Sequence, residues 1–274
     1  MTMRRTGRRS GLLGGWGAAG VLLAAATPSL VGCHTVEGTG RKQLNVLSVE
    51  QEVELGRDAY AEVLADPKTL TSGPLVDRVR RVGNALTAAA ARRYPASSAG
   101  MEWEFVVIDD PTVNAWALPG GKCAVNTGLL AFVDGDDELA IVMGHELAHA
   151  IARHGGERMS QTMVASVFAE LALGGIDPQV QQLIWQAYGV SVGLPFSRRH
   201  ESEADELGIF IAAEAGYDPK AAPRLWKRMA SQGDRVPEFL STHPDPDRRA
   251  EELEALIPEA ESVRQAAAVQ GSRP

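Results

Sequence analysis

Gly144-His145-Glu146-Leu147-Ala148-His149 is the stretch whose reading decides this chain. It lies within Glu138 to Arg153, where Leu139-Ala140-Ile141-Val142-Met143 and Ala150-Ile151-Ala152 are apolar and proline is absent, the pattern of a buried helix. Residues four apart on an α-helix share a face and lie about 6 Å apart along the axis. His145 and His149 can therefore aim both imidazoles at one metal ion, at about 2.0–2.1 Å each. Glu146 follows the first histidine and stands beside that ion, where a carboxylate can take a proton from bound water. The plain alternative is a buried helix that happens to carry two histidines. It is the poorer reading, because two imidazoles and a carboxylate buried without partners are costly.

The chain has 274 residues, 45% of them hydrophobic, enough for one sizeable domain with a substantial core. A formal net charge of −8, with no basic stripe after the first residues, argues against nucleic acid as a partner.

Basic charge gathers at the start, where Arg4, Arg5, Arg8 and Arg9 precede any acidic residue. The run Gly11 to Ala26 is weakly apolar and glycine-rich, which suits a targeting segment better than a membrane span. It leads into Leu30-Val31-Gly32-Cys33, which resembles a bacterial lipobox with Cys33 as the site of lipidation. Cleavage near Ala24-Ala25-Ala26 with soluble release, or a retained signal anchor, are the alternatives, and Arg8-Arg9 is faintly twin-arginine-like. Several acyl chains would hold the protein at a membrane without a transmembrane helix. His34 rather than Asp after Cys33 favours the outer membrane, facing the periplasm, if the source is a Gram-negative bacterium. The expected division is a signal peptide at 1–32, a tether at 33–43, a catalytic domain at 44–257 and a C-terminal tail at 258–274. Lipidation of Cys33 would leave Cys123 without a disulfide partner, and its strand-like surroundings make it a small core residue.

Ser48 with Gln51 three residues on predicts a capped helix from Val49 to about Ala65. A second helix is expected from Leu75 to about Arg93, and a strand over Trp103–Ile108. Val113–Leu118 and Lys122–Asn126 flank Pro119-Gly120-Gly121 and read as a hairpin. Asp136 is expected to cap the histidine-bearing helix, which should end near His154-Gly155-Gly156. Met159–Leu173 and Pro178–Val190 read as apolar helices beside the cleft. Both are too short for membrane spans.

A zinc ion held by two histidines needs a third protein ligand, with one position left for water. Ser197 to Ala215 reads as the helix that supplies it, with Glu201 and Asp205 four apart on one face. Glu201 is the favoured ligand and Glu203 the alternative, with Asp205 placed to hold an imidazole in its tautomer. His154, five residues beyond His149, is rotated off the ligand face and reads as structural.

Further segments carry a family resemblance: Ser48-Val49-Glu50-Gln51-Glu52, Asn114-Ala115-Trp116-Ala117-Leu118-Pro119-Gly120-Gly121, Gly128-Leu129-Leu130, His145 to His149, Ser197-Arg198 with Glu201 and Ala204-Asp205, Ala215-Gly216-Tyr217-Asp218-Pro219 and Ser241-Thr242-His243-Pro244. With these the chain resembles metallopeptidase family forty-eight, the gluzincins, which include prenyl-protein CAAX proteases, HtpX, mitochondrial Oma-type proteases and periplasmic members such as LoiP and the protease domain of BepA. The resemblance implies His145, His149 and Glu201 as zinc ligands, Glu146 as catalytic base and Asp205 behind a ligand. It implies that the strand after Gly121 is an edge that pairs with an extended peptide. Asn114 would then bind substrate backbone or simply hold the hairpin. It also implies that His243 can act as a regulatory fourth ligand. The chain departs from the membrane-embedded members in having no transmembrane helix expected after its signal, and from BepA in ending on a short helical tail.

The expected architecture is α+β: a mainly helical zincin-type metalloprotease domain with a small, mostly antiparallel sheet beside the zinc-binding helix. The expected function is zinc-dependent endopeptidase action on unfolded or misassembled proteins of the cell envelope, with one Zn2+ per chain and no covalent nucleophile. A zinc-dependent periplasmic chaperone or outer-membrane assembly factor that cleaves little is the rival. The intact Glu146 favours the enzyme, since a pure binder has no need of it.

Overall fold

The structure is a computed structural model that describes residues 32–173, 196–232 and 237–271. The expected signal peptide, apart from Gly32, and the helix expected over Pro178–Val190 lie outside the described residues. The described residues are mainly helical with two small sheets, the α+β architecture expected. Among the described residues no helix is long and apolar enough to cross a membrane.

Helix α1 spans Val49–Ala65 and starts on the expected capping box: Ser48 accepts from the Gln51 amide while Gln51 accepts from the Ser48 amide. Helix α2, Pro74–Arg93, buries Val76, Val79, Val82, Leu86 and Ala90, a helical stripe against the sheet. A short helix α3, Pro95–Ser98, follows.

The main sheet is built from β3 (Thr69–Leu70), β4 (Glu104–Ile108), β5 (Ala115–Leu118) and β6 (Lys122–Asn126), in the order β3-β4-β6-β5. Strands β5 and β6 form the expected hairpin, with Ala117 opposite Cys123. Its turn uses positive φ at Gly120 (81°) and Gly121 (96°), which a side chain would resist. One expectation is corrected here. The strand after Gly121 is not an edge, because β4 lies parallel along its other side, Phe105 opposite Cys123. All five residues of β6 are buried, as an inner strand requires. Of the two hairpin strands, the one at an edge of the sheet is β5, the strand before the turn. Cys123 is a buried free thiol, in the core as expected.

After the short helix α4 (Thr127–Phe132), helix α5 (Gly135–Ile151) runs beneath the sheet, buried throughout from Glu138 to Ile151. Asp134, not Asp136, occupies its N-cap position, and Glu138 accepts from the Asp134 amide. Asp136 lies in the first turn instead and pairs with Arg78 and Arg81. The helix ends where Arg153 adopts a φ of 56°, and α6 (His154–Leu173) begins at the next residue. Gly155-Gly156 does not break the chain. Gly156 lets α1 approach, since a Cβ there would lie 1.9 Å from Glu52 Oε1. Arg153 anchors the same carboxylate with two hydrogen bonds, of 2.8 and 3.1 Å.

Helix α7 (Arg198–Glu214) crosses α5, and α8 (Ala221–Ser231), α9 (Pro237–Thr242) and α10 (Pro246–Gly271) close the domain. Helix α10 runs unbroken through the expected 257/258 boundary. The segment expected as a tether is a two-stranded sheet, with β1 (Cys33–Thr35) antiparallel to β2 (Lys42–Leu44). It buries Arg41 and Gln43, so it packs as part of the domain.

Helices α5 and α7 touch at Gly144 and Gly208. A Cβ on Gly208 would sit 2.8 Å from the His145 amide nitrogen and 2.9 Å from the Gly144 carbonyl carbon, both rigid backbone atoms. Helix propensity alone favours Gly208→Ala by about 1 kcal/mol, whereas forcing the helices apart costs about 1–3 kcal/mol. Chemical denaturation of Gly208→Ala should show a net loss of up to about 2 kcal/mol. A more stable variant would show that the two helices do not need this approach.

Candidate metal centre

Four side chains converge where α5 crosses α7. His145 and His149 come from consecutive turns of α5, Glu201 from the first turn of α7, and His243 from the residue just after α9. One donor atom from each of His145, His149, Glu201 and His243 lies within 4.8 Å of the others, and all four residues are buried.

The separations are those of ligands around one ion. His145 Nε2 lies 3.0 Å from His149 Nε2 and 3.2 Å from His243 Nδ1. Glu201 oxygens lie 3.3 Å from His149 Nε2, 3.5 Å from His145 Nε2 and 3.2 Å from His243 Nδ1. A tetrahedral ion with bonds of about 2.0–2.1 Å sets its ligand atoms about 3.3 Å apart. Nitrogen and carboxylate donors in this number suit a divalent metal.

Charge supports the same fit. Glu146, Glu201 and Asp205 are buried carboxylates, and the buried guanidinium that faces them is Arg249. Arg249 Nη1 lies 2.6 Å from Glu201, while Nε and Nη2 each lie 2.6 Å from Asp205. Three carboxyl groups face one guanidinium, an excess of negative charge that a divalent cation would offset. Burial alone would raise the Glu201 carboxyl, but Arg249 and then His243 hold it well below the usual range. Asp205 lies 3.0 Å from His145 Nδ1, on the ring's far side from the other donors, where it fixes the imidazole.

Glu146 stands at the mouth of the group. Its Oε1 makes no hydrogen bond, and His243 Nε2 is 3.3 Å away. Burial raises its carboxyl to about 7, despite a lowering contribution from His243. The Ala117 amide of the free edge strand faces the same carboxylate. The cleft beside it is lined by Trp116, Pro119, Glu146, Phe196 and His243, with Phe196 stacked 3.9 Å from the His149 ring.

Two sequence-derived substrate residues are turned inward. Asn114 Oδ1 accepts from the Ala115 amide and the Asn114 carbonyl accepts from the Asn126 amide, so the side-chain oxygen and the backbone are both engaged within the hairpin. The Gly121 amide donates to Leu118 and its carbonyl accepts from Glu104, so both backbone groups are engaged within the sheet. Glu203, the alternative ligand, points away from the four donors and pairs with His154 and Arg41. His154 is not among the donors, but the left-handed turn at Arg153 swings it behind His149, Nδ1 to Nδ1 at 2.9 Å.

The reading from sequence missed Arg249. A signal existed: Arg249 shares the apolar stripe of α10 with Leu253 and Ala260, a position where a lone arginine needs a buried partner.

Comparison with known proteins gives the same direction. The model of Peptidase family M48 matches residues 76–257. The mitochondrial metalloendopeptidase OMA1 of Schizosaccharomyces pombe is 36% identical over 240 residues, covering 83% of this chain and 67% of that protein. The metalloendopeptidase OMA1, mitochondrial, of Homo sapiens is 33% identical over 182 residues, covering 60% of this chain and 34% of that protein. The beta-barrel assembly-enhancing protease of Escherichia coli is 29% identical over 228 residues, covering 78% of this chain and 45% of that protein. The chain therefore spans about two thirds of the first relative and less than half of the other two. With the family match extending over both helices that carry the donor group, the chain belongs to Peptidase family M48, the metallopeptidases.

Proposed function

We propose that this metallopeptidase is a zinc-dependent endopeptidase that hydrolyses extended segments of unfolded or misassembled proteins in a bacterial cell envelope. The observation that carries this reading is Glu146: a buried carboxylate with a free oxygen, beside the metal-binding group and facing the free edge strand β5. In this reading His145, His149 and Glu201 hold the zinc, and Asp205 orients His145. Zinc, when bound, supplies a Lewis acid for the scissile carbonyl and the attacking water. An extended peptide pairs with β5, main chain to main chain, which selects unfolded segments over folded ones. Glu146 takes the proton from the attacking water and delivers it to the leaving amine.

Envelope placement is supported by Leu30-Val31-Gly32-Cys33 and by the relatives named beta-barrel assembly-enhancing protease, whereas other relatives are named mitochondrial. Lipidation at Cys33 would hold the protein at the membrane, with outer-membrane assembly machinery as a partner. A second reading, a zinc-dependent assembly factor that cleaves little, draws on the position of His243. Its Nδ1 lies with the ligand atoms, where a fourth ligand excludes water, and its Nε2 covers Glu146. His243 would then act as a switch that must swing out before hydrolysis.

Three outcomes check these readings. Glu146→Gln should keep zinc and fold yet lose about 10²–10⁴-fold in proteolysis of an unfolded protein, measured with and without a chelator. Wild-type cleavage by that variant would sink the mechanism. His243→Ala should retain zinc and raise basal proteolysis, self-cleavage included; a loss of activity with the fold intact would instead give His243 a role in catalysis. In bacterial cells, Cys33→Ala should abolish incorporation of a labelled fatty acid, and equal labelling of both forms would refute the anchor.

A further inference from the structure

The proposed zinc site uses Asp205 and Arg249 behind His145, but a second buried chain of hydrogen bonds runs behind His149. His149 turns Nε2 toward the donor group and Nδ1 toward His154, whose own Nδ1 is 2.9 Å away. His154 Nε2 in turn lies 2.9 Å from Glu203 Oε2. Arg41 Nε donates to the same oxygen at 2.5 Å, and the Thr39 hydroxyl donates to Oε1. Arg41 Nη1 reaches Glu157 at 2.7 Å, and Glu157 accepts from His200 Nε2 at 3.0 Å. The His200 ring stacks on His154 at 4.5 Å. His154 is fully buried and Arg41, Glu157, His200 and Glu203 are nearly so.

We infer that Glu203 and Arg41 are positioning residues for the metal-binding imidazole of His149, acting through His154, so that the N-terminal sheet is a working part of the metal site. The proton positions leave one consistent arrangement. An imidazole that gives the Nε2 lone pair to a metal carries its proton on Nδ1, and so donates to the bare Nδ1 of His154. His154 must then carry its own proton on Nε2, which it donates to Glu203. A carboxylate at the end of such a chain fixes the ligand ring and makes it a stronger donor. Thr39 and Arg41 lie in and beside the turn between β1 and β2, so the carboxylate is held from a segment far from α5 in sequence. A purely structural cluster would not need to end on the outward nitrogen of a ligand.

The inference rests on His149 being a zinc ligand, and the test separates the two. Zinc affinity is measured in the full chain by competition with a chromogenic chelator, alongside thermal unfolding of the metal-free protein. Glu203→Gln and Arg41→Ala should weaken zinc by about 10–100-fold, with Arg41→Lys recovering part of the loss. Thr39→Val, which removes the hydroxyl that donates to Glu203 and accepts from the Arg41 amide at the partly exposed rim, should give a smaller loss and keeps the test open if Arg41→Ala does not fold. Zinc affinity unchanged in both Glu203→Gln and Thr39→Val overturns the proposal, whatever happens to stability. His149→Ala is the control. If it binds zinc as well as the wild type, the ligand reading itself fails; if it loses zinc while Glu203→Gln does not, only the chain behind His149 fails.

Discussion

The backbone contact between Gly144 and Gly208 sets the geometry on which the site depends. Helix α5 carries both histidines of the His-Glu-x-x-His pattern, and α7 carries Glu201 less than two turns before the contact. A side chain at the crossing would hold the axes farther apart, since interaxial distances follow the size of the residues at the contact. The separations of 3.0–3.5 Å among the donor atoms leave little room for such a change. Glycine at two helix interiors costs about 1 kcal/mol each in propensity. That cost is offset by bringing a carboxylate from one helix to the imidazoles of another.

Close approach concentrates charge, and the structure answers with pairing instead of exposure. Arg249 lies over the Trp226 ring, 3.5 Å from its centroid, while its guanidinium grips Asp205 with two hydrogen bonds. A bidentate arginine fixes direction as well as charge. Asp205 is thereby held against His145 Nδ1, so a residue of α10 orients a donor on α5 while its other amino group pairs with the donor Glu201 on α7. Removing one member of a buried pair of this kind costs about 3–5 kcal/mol, because the other charge is left without a partner.

Local patterns in the sequence carried the parts of this structure that are local. The capping box at Ser48, the hairpin at Pro119-Gly120-Gly121 and the spacing of His145 and His149 each depend on residues a few positions apart. Glu201 and Asp205 were legible because the chemistry of two histidines asks for a carboxylate, and α7 offers them on one face. What stayed hidden was set by packing between distant segments. That β5 and not β6 is the free edge depends on β4 pairing in parallel from outside the hairpin. The short segment after Cys33 reads as a polar tether because Arg41 and Gln43 look solvent-seeking until Glu203 and Glu157 supply buried partners. His154 is off the ligand face, as expected, but a continuous helix gives no sign that it backs His149. The positive φ at Arg153 breaks that register.

The two ends of the domain meet at the donor histidines from opposite sides. His145 is backed by Asp205 and Arg249, the latter from the C-terminal helix, and His149 by His154 and Glu203, held by Arg41 from the N-terminal sheet. Neither backing is complete until residues more than a hundred positions apart have come together, so the donor set is a property of the finished fold and not of α5 alone. Any ion that binds the folded chain and not the unfolded one then adds its binding free energy to stability. Without the ion, the excess of buried acidic groups over guanidinium opposes folding. Metal binding and the packing of the β1–β2 sheet and helix α10 behind the site are therefore two aspects of one equilibrium.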